Sequence, residues 1–375
     1  MTEAHDTSQG SPTPFNGAAA DGGGLPLIQV QGLTKLFPIS KSLFRGPKGY
    51  VHAVDDVSFD MYPGESFGLV GESGCGKTTI GKLLVKLLAP TEGRILFRNS
   101  PADGSSGEET AEYDDISQTQ GRGLKAFRRR AQMIFQDPYE SMNPRRTIFD
   151  TVAEPLVVQG IGNSLDRLDK VSQLLEQVGL TPAATMLFRY PHELSGGQRQ
   201  RVAIARALVI DPSFVVADEP TSMLDVSISV GIMSLMQDLA ERLGVTYLYI
   251  THDLAVARYM CQSIAVMYLG KIVELAETEE LLANPLHPYT RALLSAVPIP
   301  DPSYQRNPVN ILGDVASPVD PGPRCRFLDR CPIAGDECHS NPIRLWRTGA
   351  EGTWWLATGF KGCRGGSEIP FLFPL

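Results

Sequence analysis

The chain has 375 residues, of which 42% are hydrophobic and 20% charged, with a formal net charge of −8. That excludes a disordered or fibrous chain and leaves room for one sizeable α/β domain plus a smaller appendage. The negative balance argues against nucleic acid as a partner, because such affinity rests on neutralising phosphates. No uninterrupted apolar stretch is long enough for a bilayer, and the opening to Gly24 has no apolar core of a signal peptide. The expectation is a protein kept in the cytoplasm, which only a partner would bring to a membrane.

Along the chain, residues 1–26 are rich in small residues and read as a disordered tail. Strands are predicted at 27–30, 54–61 and 66–70, followed by a helix carrying Ile80, Leu83, Leu84, Leu87 and Leu88. The acidic, Gly/Ser-rich stretch 99–123 reads as an inserted surface loop, and Arg128, Arg129 and Arg130 as a solvated helix face. Helices are predicted at 168–178 and 199–209, and buried strands at 214–217 and 246–250. This alternation indicates an α/β fold with a mostly parallel sheet covered by helices. Beyond about 280, repeated prolines are expected to break any long element.

Gly71-Glu72-Ser73-Gly74-Cys75-Gly76-Lys77-Thr78 fits G-x-x-x-x-G-K-[ST] directly after a predicted strand and before a helix. Glycines let backbone N–H groups curl round phosphate, and the helix N-terminus adds positive potential. Lys77 would bridge the β- and γ-phosphates and Thr78 would offer its hydroxyl to Mg²⁺, with Cys75 a small filler. A chance match in a flexible loop is the bland alternative. Four apolar residues at 214–217 then lead into Asp218 and Glu219, which a strand's C-terminal end would aim at the nucleotide. Asp218 suits the Mg²⁺ shell, and Glu219 the role of general base on water. Ser195, Gly196, Gly197 and Gln198 open a helix and form either a second anion-binding cap or an ordinary N-cap.

With these residues the chain resembles the ATP-binding subunit of an ABC transporter. The motifs run in order: Gly71 to Thr78 as Walker A, Gln136 as Q-loop, Leu194 to Gln198 as signature, Asp218 and Glu219 as Walker B, Ser222-Met223-Leu224-Asp225 as D-loop, and His252 as switch histidine. Met223 departs from the family's usual Ala. The resemblance implies a P-loop NTPase cassette over 27–275, with a RecA-like parallel sheet core, antiparallel β and a helical subdomain at about 137–200. It implies ATP and Mg²⁺ as cofactors, with Thr78, Gln136 and Asp218 at the metal, and catalytic roles for Glu219, His252, Gln136 and Lys77. Thr79 and Asp225 join the nucleotide contacts. The adenine-stacking aromatic is Phe37, with Tyr50 as alternative.

Gly71 to Gly76 and the run 284–294 (NPLHPYTRALL) are similar to the oligopeptide/dipeptide (and nickel) importer subgroup, whose ATPases carry a C-terminal extension, here 276–375. This implies a heterodimer with a second ATPase subunit, two transmembrane permease subunits, an extracytoplasmic solute-binding protein, and a peripheral place on the cytoplasmic face of the inner membrane. The segment 137–146 is expected to form the docking groove for the permease. Rival readings are a soluble ABC ATPase uncoupled from transport, an importer for another solute class, and a cysteine-rich regulator with a degenerate nucleotide site. Cys325, Cys331, Cys338 and Cys363 supply four thiols in a setting where stable disulfides are not expected. A structural [4Fe–4S] cluster is the preferred reading, with Zn²⁺ or unliganded thiols as alternatives and His339 as a substitute ligand.

Overall fold

The computed structural model describes residues 24–39, 47–99, 112–297, 311–313 and 317–340, with backbone alone at 345–347 and 355–357. Nearly all of the tail at 1–26 lies outside the described residues, as do 100–111 of the expected surface loop.

The strands are β1 (Ile28–Pro38), β2 (Tyr50–Met61), β3 (Ser66–Val70), β4 (Glu92–Arg98), β5 (Tyr113–Asp115), β6 (Ala131–Ile134), β7 (Phe214–Asp218), β8 (Thr246–Thr251), β9 (Ser263–Tyr268), β10 (Lys271–Glu277), β11 (Leu345–Arg347) and β12 (Trp355–Ala357). The helices are α1 (Lys77–Leu84), α2 (Gly121–Arg130), α3 (Ile148–Gln159), α4 (Ser164–Gln177), α5 (Ala183–Met186), α6 (Gly196–Leu208), α7 (Val226–Leu243), α8 (Leu254–Met260), α9 (Thr278–Ala283), α10 (Pro288–Ala296) and α11 (Glu337–Ser340).

Strands β2-β1-β4-β5 form an antiparallel sheet, and β11-β12-β10-β9-β3-β8-β7-β6 a mixed one. In the second, β3 pairs in parallel with β8 and β9, and β7 with β6 and β8, while β9, β10, β12 and β11 pair antiparallel. Its parallel half is covered on both faces, as the unbroken apolar runs require. Val215, Ala217, Tyr247 and Tyr249 enter the core shared with α3, α4 and α6. Phe214, Val216, Leu248 and Ile250 enter the core beneath β1, β2 and α1.

Two expectations are corrected. The supposed loop at 99–123 contains β5, which extends the antiparallel sheet through Leu96↔Asp115, a 3₁₀ turn at Ile116–Gln118 and the start of α2. Arg130 is not a solvated face residue: its guanidinium lies 4.4 Å from the Phe97 ring centroid and donates to Asn99 Oδ1 at 3.2 Å. The proline-rich stretch beyond 280 holds the short helix α10, of nine residues. Pro288 occupies the first position of α10, where its missing N–H costs nothing, and His287 Nδ1 caps the turn by accepting from Tyr289 N at 3.1 Å.

Candidate functional site

The loop between β3 and α1 is shaped by glycine. Gly74 and Gly76 have φ of +79° and +113°, and a Cβ on Gly76 would stand 2.0 Å from the Ala53 carbonyl oxygen. Only glycine fits that approach. Gly76 caps α1 without a side-chain bond, so the N–H groups of Lys77, Thr78 and Thr79 face outward as an anion site. Lys77 is buried, and its Nζ donates to the carbonyls of Gly71 at 2.6 Å and Glu72 at 2.9 Å. Ser73 and Gly74 are exposed, whereas the Cys75 thiol is buried, 3.9 Å from Lys77 Nζ, and pushed up by that burial.

Across the sheet, β7 delivers Asp218. Thr78 Oγ1 donates to its Oδ1 at 3.1 Å, joining two strings 140 residues apart. Burial raises the Asp218 carboxyl above its usual range, and neighbouring Glu219 adds to the rise. A hydroxyl beside a carboxylate, in a site with a lysine, is the hard-oxygen donor set that suits Mg²⁺. The residues present fit the ion.

Glu219 adopts φ +45°, a left-handed conformation that a side chain rarely takes, and its N–H is held by the Ile250 carbonyl at 2.9 Å. The turn aims its carboxylate at two groups at once. Oε2 accepts from Gln136 Nε2 at 3.1 Å, and Oε1 lies 3.1 Å from His252 Nδ1. Glu219 is only 14% exposed against 58% for His252, so a half-shielded acid meets a histidine open to solvent. A groove of about 230 Å³ runs from this point along α7, lined by Glu219, Thr221, Val226, Val230, Met233 and His252.

The signature segment is built differently. Ser195 Oγ accepts from Gln198 N at 3.3 Å, and Gln198 Oε1 accepts from Ser195 N at 3.0 Å, a reciprocal capping box. Among the described residues this hydroxyl bonds to nothing else, so the ordinary N-cap is present within the chain. Gly197 is packed: a Cβ would meet Ile228 at 2.7 Å. Asp225 begins α7 exposed and without a capping bond, beside Met223 at 62% exposure. The two candidate adenine aromatics prove to be neighbours. Phe37 pairs with Val51 and Pro38 with Tyr50, and both rings are over a third exposed.

Sequence reasoning missed what holds the loop from behind. Glu72 N donates to the Tyr289 hydroxyl at 2.9 Å, and the Glu72 carboxylate pairs with Arg330 at 2.9 Å. Asp320 Oδ1 accepts from Tyr50 N at 3.0 Å, next to a Val51↔Val319 bridge. Nothing in the spacing of these residues could reveal partners more than 200 positions apart. Buried Glu274 was missed too; it accepts from the N–H groups of Leu286 and His287 at 2.7 and 2.9 Å and fixes the turn before α10.

Three of the four cysteines are described; Cys363 lies outside the described residues. The Cys325 N–H donates to the Cys338 carbonyl at 3.0 Å. Burial pushes the Cys325 thiol up to about 11, with the nearby Cys338 and Cys331 sulfurs adding to the rise. Among the described residues, no group of three or more His, Cys, Asp or Glu is disposed to hold a metal ion.

The ABC transporter family model matches residues 54–222, and the oligopeptide/dipeptide transporter C-terminal region model matches 273–338. The oligopeptide transport ATP-binding protein AppF of Bacillus subtilis is 44% identical over 314 residues, covering 83% of this chain and 91% of that protein. OppF of the same organism, also an oligopeptide transport ATP-binding protein, is 50% identical over 270 residues, covering 72% and 84%. A dimeric post-hydrolysis state of the ATP-binding cassette MJ0796, bound to ADP and Pi, superposes with a TM-score of 0.56 at 27% identity, covering 67% of this chain and 98% of that one. The cassette thus has the fold that the sequence implies. With both models matched in order and relatives aligned over most of their length, the chain belongs to the ABC transporter family of ATP-binding proteins and carries the oligopeptide/dipeptide transporter C-terminal region.

Proposed function

We propose that this chain is the ATP-hydrolysing subunit of an importer for di- or oligopeptides, or for a related solute such as nickel. The observation that carries the hydrolytic part is the Gln136–Glu219–His252 chain beside the Thr78–Asp218 pair. The solute class is supported by the match over 273–338 and by what AppF and OppF are named for. The working unit is read as an ATPase cassette at 27–275, containing a helical subdomain at about 137–200, followed by an extension at 276–375.

In the catalytic cycle, the outward N–H groups at the start of α1 bind the phosphates, and Lys77 exchanges its two carbonyls for β- and γ-phosphate oxygens. Thr78, Asp218 and Gln136 would hold Mg²⁺, whose charge would offset that of the phosphates. Glu219 takes a proton from the attacking water, while Gln136 and His252 fix its carboxylate. Ser195 to Gln198, with Asp225, closes on the nucleotide of a second ATPase subunit, so that ATP joins two subunits and hydrolysis releases them. The exposed Met223 and Val226 (62% and 83%) beside Glu219 support such a seam. A homologous ATPase, two permease subunits and an extracytoplasmic solute-binding protein complete the assembly.

No helix among the described residues is long and apolar enough to cross a membrane. We read attachment to the cytoplasmic face of the inner membrane as made through the permease. A groove of about 330 Å³ beside exposed Val157 and Val158 supports docking there. Its walls come from α3 and α4, and Arg146 alone represents the expected segment 137–146. For Cys325, Cys331, Cys338 and Cys363 the reading is a structural [4Fe–4S] centre, or Zn²⁺, on the four-thiol pattern and the Cys325–Cys338 backbone bond. Iron, acid-labile sulfide and zinc analysis after anaerobic purification decides it: absence of all three means free thiols.

The decisive test of function is uptake. The full chain, reconstituted in vesicles with its cognate permease, partner ATPase and binding protein, should drive ATP-dependent accumulation of labelled peptide. Hydrolysis that is indifferent to the permease, with no uptake, would sink the transport reading in favour of an uncoupled ATPase.

A further inference from the structure

We propose that Arg330, reaching in from the C-terminal extension, is a positioning residue for the phosphate loop: it pairs with Glu72 and holds that carboxylate away from bound phosphates. This rests on the nucleotide reading of Gly71 to Thr78 and adds a residue 258 positions distant.

The contact is a forked one. Arg330 Nη1 lies 2.9 and 3.2 Å from the two Glu72 oxygens, and Nη2 lies 3.2 Å from Oε1. The arginine side chain is 11% exposed and that of Glu72 31%. Forks of this kind are directional as well as strong. Glu72 is in fact held at every polar point: its N–H by Tyr289, its carbonyl by Lys77 Nζ at 2.9 Å, and its carboxylate by Arg330. Two of the three holds come from beyond residue 280.

The arginine itself stands on a fixed platform. It closes the 3₁₀ turn Leu328–Arg330 through its N–H to the Phe327 carbonyl at 3.0 Å. Phe327 is buried, with ring centroids of Tyr268 and Tyr289 at 5.2 and 5.5 Å. Arg330 also lies 5.7 Å from the Tyr268 ring. Little freedom remains to be lost when the pair forms.

A loop that must bind a polyanion carries a carboxylate as its second residue, and like charges in a partly shielded site repel. Arg330 cancels that charge and turns it toward the extension. Because Lys77 also bonds the Glu72 carbonyl, freeing Glu72 would unsettle the cation that ATP needs. The extension is then part of the nucleotide site and not only an appendage.

Mg-ATP affinity of the full-length chain, measured by calorimetry alongside its melting temperature, tests this. Arg330→Met should weaken binding about tenfold through the unmasked carboxylate. Adding Glu72→Gln to that variant should bring affinity back to within about threefold of wild type, because the repelling charge is gone. Arg330→Lys, which keeps the charge but not the fork, should lose clearly less affinity than Arg330→Met, about threefold, and covers the case in which Met unfolds the extension. Binding by Arg330→Met within twofold of wild type overturns the proposal, and so does a loss that Glu72→Gln leaves unrepaired, which would mean a purely structural brace. A wild-type chain with no Mg-ATP affinity overturns the nucleotide reading itself, a different failure from either.

Discussion

His252 Nδ1 lies 3.1 Å from one carboxylate oxygen of Glu219, and Gln136 holds the other at the same distance. The three residues come from the ends of β8, β7 and β6, which are adjacent in the parallel sheet. Sheet order, not sequence order, brings them together. The left-handed turn at Glu219 directs one carboxylate between two side chains that hold its two oxygens, which orients it as a base.

Glu219→Gln should therefore leave Mg-ATP binding intact and lower hydrolysis by about 10²–10⁴-fold, the usual cost of losing a positioned base. ATP would then hold two ATPase subunits together, visible as a stable dimer by size-exclusion chromatography. Turnover within a few-fold of wild type would remove Glu219 from that role.

Most of this site was legible because each part is a short string with its own chemistry. Gly71 to Thr78 and the run into Asp218 and Glu219 need only a strand before them to be placed. The rest was not legible, for definite physical reasons. β9 and β10 form an antiparallel pair around Gly270, whose φ of +85° makes the turn, and the strand predictions stopped at 250. β5 is an acidic edge strand, Tyr113-Asp114-Asp115, whose polarity hides its pairing. The Glu72–Arg330 pair joins regions that share no local signal.

Gly76→Ala should abolish nucleotide binding. The φ of +113° is strained for any side chain, and the added Cβ would sit 2.0 Å from the Ala53 oxygen. Either β2 moves or the loop does. Isothermal titration should find no Mg-ATP binding, with a lower melting temperature; retained affinity would mean the loop has another conformation.

Asp60 provides a pH test of the scaffold, away from the nucleotide. Its side chain is buried on β2, and burial, helped by the nearby Glu65 charge, raises its carboxyl to about 7 from 3.8. Between those values the folded chain binds a proton that the unfolded chain has released. The stabilisation is fully present below pH 4 and is lost as pH rises toward 7, at up to about 1.4 kcal/mol per pH unit. Denaturation of wild type and Asp60→Asn across pH 4 to 7.5 should show wild type losing ground to the variant as pH rises. A constant difference would mean that Asp60 does not titrate there.

Ser195→Arg separates a local from an intersubunit role for the signature. Within the chain, the Ser195 hydroxyl caps α6 by accepting from Gln198 N, and a lost cap costs about 1 kcal/mol. That is a small stability loss, and it should leave Mg-ATP affinity of the single subunit within about twofold. Across a dimer, the serine and the free N–H groups of Gly196 and Gly197 would instead face the partner's γ-phosphate, where a bulky side chain blocks closure. Hydrolysis and ATP-dependent dimerisation should then disappear while binding persists. An equal fall in the affinity of the isolated subunit would make Ser195 a local element and end the intersubunit account.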